Sequence, residues 1–188
     1  MRNSEKYNHI LRATLDLLVE HDIQSTSMAL IAKHANVGMG TIYNYFPSKE
    51  ELITELFRTL RIALYTDVFI GYPNEAPIRE RFFHIWRRLC RYYLAHPKEF
   101  VFLERYAYSP FIDQSRVNEV EVMVLPIVQL FEQAKQQQIV KDIPLNVFIP
   151  LVTGSLTSII RSHIVGMITI DTELLEMTLN MCWDAVRR

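Results

Sequence analysis

Side chains able to do covalent or metal chemistry are scattered through this 188-residue chain. No Gly-x-Ser-x-Gly elbow exposes a nucleophile, no glycine-rich loop cradles a phosphate, and no His-Glu-x-x-His or Cys/His group has metal-ligand spacing. His9, His21, His34, His84, His96 and His163 fall on different helices of the reading below, where surface or capping roles suit them. Cys90 and Cys182 stand alone, as buried thiols of a reducing compartment do. Gly154-Ser155 lies inside an apolar helical run, where packing is the expected use. The residues therefore point away from catalysis and require neither a metal nor a cofactor.

Non-covalent recognition has a better candidate between Asn36 and Lys49. Gly38-Met39-Gly40-Thr41 opens a short run that continues through Tyr43. Glycine is a poor helix former, so two at a helix start imply either close backbone approach to a bulky partner or a flexible turn. Asn36 stands where the preceding turn needs a left-handed backbone, which Asn tolerates. Two helices must hold this run. Tyr7, Ile10, Leu11, Thr14, Leu15 and Leu18 mark one face of the first, with Asn3 or Ser4 as its cap and an end near His21-Asp22. Met28, Ile31, Ala32 and Ala35 mark the second, with Ser25, Thr26 or Ser27 as its cap. After the short third helix, Ser48 and Glu51 form a capping box that opens a fourth, running to about Phe69. Three helices with a tight second turn can deliver one short helix into a major groove. A net charge of −1 supplies no general attraction to nucleic acid, so placement of individual donors must do that work.

Helical periodicity continues to the end of the chain, and the reading is all-α with about nine helices. Gly71-Tyr72-Pro73-Asn74-Glu75-Ala76-Pro77 is a breaker cluster and marks a boundary between domains. Beyond it, helices are expected over 78–95, 98–108, 113–138 with a kink at Pro126, 145–166 and 171–186. The apolar share is 49%, that of a packed globular chain. The most apolar run, from Val147 to Ile170, is interrupted by Pro150, Gly154, Arg161 and His163, so no membrane span is expected. The N-terminus leads directly into an amphipathic segment without a signal region, and a cytoplasmic protein is expected.

The run from Thr26 to Leu52, with its Ile31-Ala32 pair, Thr41-Ile42-Tyr43 and Tyr45-Phe46-Pro47-Ser48-Lys49-Glu50 in register, resembles the DNA-binding signature of the tetracycline-repressor (TetR) family of bacterial transcription regulators. The chain departs from the common pattern in carrying Asn36 where the family often has Gly, and Tyr45 where it often has His. The resemblance implies a helix-turn-helix domain over 1–47, a connecting helix over 48–71 and a helical effector-binding and dimerisation domain over 72–188. It implies a cytoplasmic homodimer that binds double-stranded, roughly palindromic operator DNA, most simply a repressor released by a small-molecule effector. Thr41, Tyr43 and Lys49 would hold phosphates, with Tyr45 a further candidate, since hydroxyl, phenol and ammonium groups all donate to phosphate oxygens. Met39, Gly40 and Asn44 would meet base edges, Asn pairing with adenine and Met touching a thymine methyl. Thr26, Ser27 and Gly38 complete the implied DNA-contacting set, while Ile31, Ile42, Phe46 and Leu52 read as core.

The family's C-terminal domain pairs two copies and holds an effector between its helices. Gly154, Ser155 and Ser158 with Ile159, Met177, Met181 and Trp183 could build a four-helix interface across a two-fold axis, or pack within the chain. Aromatic residues concentrate between Phe82 and Phe111. Phe83, Trp86, Phe102 and Tyr106 are the implied effector contacts, with ordinary core as the alternative, and Glu104 or Arg105 could orient a charged ligand or be solvated.

Overall fold

The computed structural model describes residues 2–117 and 122–188, with side chains from Glu5 onward except that of Gln114. The cap expected at Asn3 or Ser4 lies outside the described side chains. Nine α-helices form among the described residues: α1 Arg2–Glu20, α2 Met28–His34, α3 Met39–Tyr45, α4 Lys49–Val68, α5 Ile78–Ala95, α6 Pro97–Tyr106, α7 Leu125–Gln136, α8 Leu145–Ile164 and α9 Thr172–Val186. A 3-10 turn covers Gln114–Arg116, and the pairing of Val140 with Arg187 is an isolated bridge. The described chain is thus all-α, as the periodicity predicts.

Two compact units divide the chain, one of Met1–Ala63 with Lys98–Val120 and the other of Leu64–Pro97 with Glu121–Arg188. The division falls within α4, and Gly71–Pro77 is a turn inside the second unit, where Gly71 takes a φ of 65°. In the first unit Ile10, Leu11, Leu17 and Leu18 of α1 are buried with Ile31 and Ala32 of α2, Ile42 of α3 and Leu52, Ile53 and Leu56 of α4. Residues 98–117 join this core through polar ties as well as through buried Phe100, Phe102 and Leu103. Arg105 donates to the Leu18 carbonyl at 2.7 Å, placing a cation on the open carbonyls at the end of α1. Lys98 pairs with Asp16 at 2.5 Å, and the Thr54 hydroxyl of α4 accepts from the Asp113 N–H at 3.1 Å. Arg105 therefore has a structural partner rather than the role of orienting a ligand.

The second unit packs α5, α7, α8 and α9 around Phe82, Trp86, Phe131, Phe148, Leu156, Leu179 and Trp183. Phe82 lies edge-on to both Trp86 and Trp183, with ring centroids 5.8 and 5.1 Å away. Arg87 grips Glu176 of α9 with two bonds of 2.5 and 2.7 Å, the bidentate geometry of a strong ion pair. The single long helix expected over 113–138 does not form. Its first residues make the 3-10 turn, positions 118–121 lie outside the described residues, and Val122 and Met123 are helical before a turn at Val124, after which α7 runs from Leu125 with Pro126 in its first turn. Proline lacks the N–H that a first turn does not use, so Pro126 is accommodated in the first turn of α7, directly after the interruption at Val124. By contrast, α8 runs unbroken through Pro150 and Gly154 and is by length and composition the one described helix apolar enough to cross a membrane.

Candidate DNA-binding surface

The tight turn forms by local chemistry alone. Ser27 caps α2, its hydroxyl oxygen accepting from the Leu30 N–H at 3.1 Å. At the other end, the Ala35 and Val37 N–H groups close back on the carbonyls of Ile31 and Ala32 at 2.8 and 2.9 Å. Between them Asn36 takes a φ of 53°, the left-handed turn its side chain tolerates. Extended Gly38 then starts α3 with no side-chain cap, its carbonyl accepting from Thr41 and Ile42 at 2.9 and 3.2 Å.

A single buried side chain, Ile42, anchors the seven residues of α3. Met39, Gly40, Tyr43 and Asn44 are exposed, with Thr41 and Tyr45 half-buried. Met39 is 41% and Tyr43 47% accessible, a large apolar area to leave in water on so short a helix. A Cβ placed on Gly40 would meet nothing within 4 Å, so nothing in the chain's own packing calls for glycine there.

The two hydroxyls ahead of α2 part company. Ser27 is exposed, whereas Thr26 is fully buried and donates to the Asp22 carbonyl at 2.9 Å. Thr26 is thus withdrawn from the surface the resemblance implied, because its hydroxyl closes the α1–α2 turn. Lys49 is half-buried at the start of α4 and donates from Nζ to the Ile23 carbonyl at 2.8 Å. An ammonium has three hydrogens, so this bond leaves donors for a phosphate. Ser48 caps α4 by accepting from the Glu51 N–H at 3.1 Å, as the capping box predicts.

Sequence reasoning missed a cluster behind α3. The Tyr7 ring packs against Tyr45 and Phe46 with centroids 6.1 and 5.4 Å away, and its hydroxyl donates to Glu55 of α4 at 2.5 Å. Arg58 adds two bonds to the same carboxylate at 2.9 and 3.0 Å. Burial, then the bond to Glu55, pushes the Tyr7 phenol up to about 12. For Glu55 burial works upward, but bonds from Arg58, Tyr7 and Thr59 outweigh it and hold the carboxyl below its usual range. The only sequence signal was the spacing of Glu55 and Arg58 on one helix face.

Of the implied effector residues, Phe83 and Trp86 are buried in the second unit, while Phe102 and Tyr106 are buried in the first, 4.9 Å apart between ring centroids. The Trp86 indole N–H is buried with no hydrogen-bond partner. On α8 and α9 the residues separate by face. Gly154, Ser155 and Ser158 are exposed, joined by Val147 and Leu151 at 50% and 44% accessibility, and Met177 and Met181 on α9 reach 53% and 65%. Trp183 faces inward onto Phe82, so it leaves the expected interface for the core. Ile159 is half-buried beside a small apolar gap near Cys90.

An all-helical chain that presents a short third helix behind a tight turn, with an uncovered helix pair in a separate unit, has the build of a helix-turn-helix regulator. Two family models cover it: bacterial regulatory proteins of the tetR family match residues 10–56, and the tetracyclin repressor-like C-terminal domain matches residues 57–188. The chain belongs to the TetR family, whose members are transcriptional regulators and not enzymes. It is 49% identical over 51 residues to the HTH-type transcriptional regulator YhgD of Bacillus subtilis, covering 27% of either protein. The chain spans between about a quarter and a half of the length of the first curated relatives it matches. A TetR-family regulator from Marinobacter aquaeolei VT8 superposes with a TM-score of 0.91 at 24% identity, over 99% of this chain and 97% of that one. The regulator FadR from Bacillus subtilis, solved in complex with stearoyl-CoA, has the same fold at a TM-score of 0.76 and 16% identity, over 94% and 97% of the two chains.

Proposed function

We propose that the chain is a cytoplasmic homodimeric repressor that holds a palindromic operator through paired α3 helices and releases it when a small effector binds. The observation carrying this reading is α3 itself, in which Ile42 alone is fully buried and Met39, Gly40, Tyr43 and Asn44 are offered to solvent. Asn44 suits bidentate pairing with adenine and Met39 suits a thymine methyl, while Gly38 and Gly40 let the helix backbone approach the base edges. Thr41, Tyr43, Tyr45, Lys49 and Ser27 are the phosphate donors that set register. With a net charge of −1, these individual donors must replace a basic surface.

Dimerisation is assigned to the uncovered face of α8 and α9. Val147, Leu151, Gly154, Ser155 and Ser158 recur at three- and four-residue offsets and share one side of α8, with Met177 and Met181 of α9 extending the apolar area. A second copy laid on this face gives a self-complementary interface, and two-fold symmetry then sets the operator half-sites about one helical turn apart. This divides the work as a reading head over 1–47, a connecting helix over 48–71 and an effector-binding and pairing body over 72–188.

The effector reading is supported by Trp86. A buried donor left unpaired costs about 1–3 kcal/mol, which a ligand oxygen would recover. Phe83, Phe102 and Tyr106 stay proposed effector contacts as buried aromatic residues, each within its own unit. An effector with an apolar body and a carbonyl-type acceptor fits, and an acyl-CoA thioester is the first to try because the FadR fold neighbour was solved with stearoyl-CoA. Such a ligand acts only through unequal affinity for the DNA-bound and released states.

Footprinting on the DNA flanking this protein's own gene, with and without stearoyl-CoA, tests the reading. A protected palindrome that is lost on adding the thioester is the expected result. Absence of any protected site would overturn DNA regulation, and protection indifferent to the thioester would remove that effector.

A further inference from the structure

The contacts behind α3 have a direction. Only Phe46, Pro47 and Ser48 separate α3 from α4, so the end of the reading helix is tied covalently to α4. A second tie runs through α1: the Tyr7 ring packs on Tyr45 and Phe46, and the Tyr7 hydroxyl ends on Glu55, in the second turn of α4. Glu55 is itself fixed by the two bonds from Arg58. The three helices close a triangle with α3 as one side and a phenol as the adjustable strut.

From this geometry we infer that Tyr7 is a positioning residue for DNA reading, setting the pitch of α3 through its bond to Glu55 without touching DNA. The inference rests on the DNA-binding role proposed above. With the hydroxyl bonded, a shift of Glu55 along or around α4 pulls the Tyr7 ring and with it Tyr45 and Phe46, so α3 cannot keep its orientation while α4 changes. Without the hydroxyl, ring packing remains but the register between α3 and α4 is loose. Pitch decides whether the exposed face of α3 reaches its base edges, because a hydrogen bond to a base fails once its geometry is lost.

The test is a double-mutant cycle with the full chain. Wild-type protein first enriches a tight-binding duplex from a random double-stranded library. Tyr7→Phe, Glu55→Ala and the double variant are then titrated against that duplex well below their melting temperatures. Each single variant is expected to bind about 10- to 150-fold more weakly, the scale of one lost charge-assisted hydrogen bond, and the double variant no more weakly than either. Three results overturn the inference: Tyr7→Phe binding like wild type although it melts earlier, which would leave a purely structural bond; effects that multiply; or Glu55→Ala binding more tightly, as expected if Glu55 only repels the DNA backbone. Failure of wild type to enrich any duplex would instead sink the DNA-binding role, and the inference with it.

Discussion

An alanine at Gly40 would place its methyl group where, beyond its chain neighbours and the backbone of its own helix, no atom lies within 4 Å. Gly40 is the second residue of α3, so the exchange also removes the entropic penalty of a helical glycine, worth about 0.5–1 kcal/mol. For a chain of this length that gain raises the melting temperature by about 1–4 °C. On the proposed DNA side the sign reverses. If the α3 backbone comes against base edges at Gly40, an added methyl overpacks a close contact at about 1–3 kcal/mol, or roughly 5- to 150-fold in affinity. Thermal melting followed by helix ellipticity and fluorescence anisotropy on a labelled operator duplex read the two effects separately. A variant that melts higher and binds weaker supports close approach at Gly40. Unchanged affinity with a raised melting point would refute it and leave Gly40 a turn residue, and a lowered melting point would contradict the open space around it.

Further outcomes follow from the same contacts. Lys49→Ala should weaken binding to every duplex alike and lower the salt slope by about 1 per half-site, whereas an unchanged slope in salt titrations would confine Lys49 to its bond with the Ile23 carbonyl. Met181→Asp, on the uncovered face of α9, should give monomers in sedimentation velocity with helicity retained; a variant still dimeric would move the interface elsewhere. Because the Glu55 carboxyl is held below its usual range, its contribution to stability is complete above the unfolded-state value and is lost as pH falls through the folded one. The gap in melting temperature between wild type and Glu55→Ala should therefore be full near neutral pH and shrink in acid, and a gap independent of pH would assign Glu55 no ionic role.

What could be read ahead of the structure was local. A cap for α2 among Ser25, Thr26 and Ser27, the Ser48 cap, the left-handed Asn36 and the Ile78–Ala95 helix each depend on residues within a few positions of one another, and each formed as expected, Ser27 taking the first role. Misreadings arose where burial or distant partners decide. Thr26 and Ser27 carry the same kind of signal, yet one packs inside and the other does not. The helical run ahead of Pro126 is interrupted at Val124, a break that periodicity runs straight across. Trp183 and Met181 are both apolar residues of α9, and only the packing of Phe82 selects which faces in. The hydroxyl of Tyr7 finds Glu55 across 48 residues, so the sequence offered only a ring on an apolar face. Arg105 likewise reaches α1 carbonyls 87 positions back.

Five glycines occur in the chain, and three have a local reason. Gly71 and Gly166 take φ of 65° and 79°, and Gly38 is the extended residue that starts α3. Gly40 and Gly154 sit inside helices, are exposed, and would lodge a Cβ with nothing within 4 Å. A helical glycine weakens its helix, so at these two positions a cost persists that the chain's own packing does not require. On the proposed function, close approach of another molecule would account for both, base edges at Gly40 and the α8 of a second copy at Gly154. The two explanations make separable demands. Gly154→Ala should raise the dimer dissociation constant by about tenfold, on the scale of an overpacked contact, while leaving the helicity of the isolated chain intact or higher. Gly40→Ala should weaken operator binding with dimerisation unchanged. Sedimentation equilibrium and anisotropy on both variants read all four quantities, and a Gly40→Ala chain that loses its dimer, or a Gly154→Ala chain that keeps its full association, would break the pairing of each glycine with its partner.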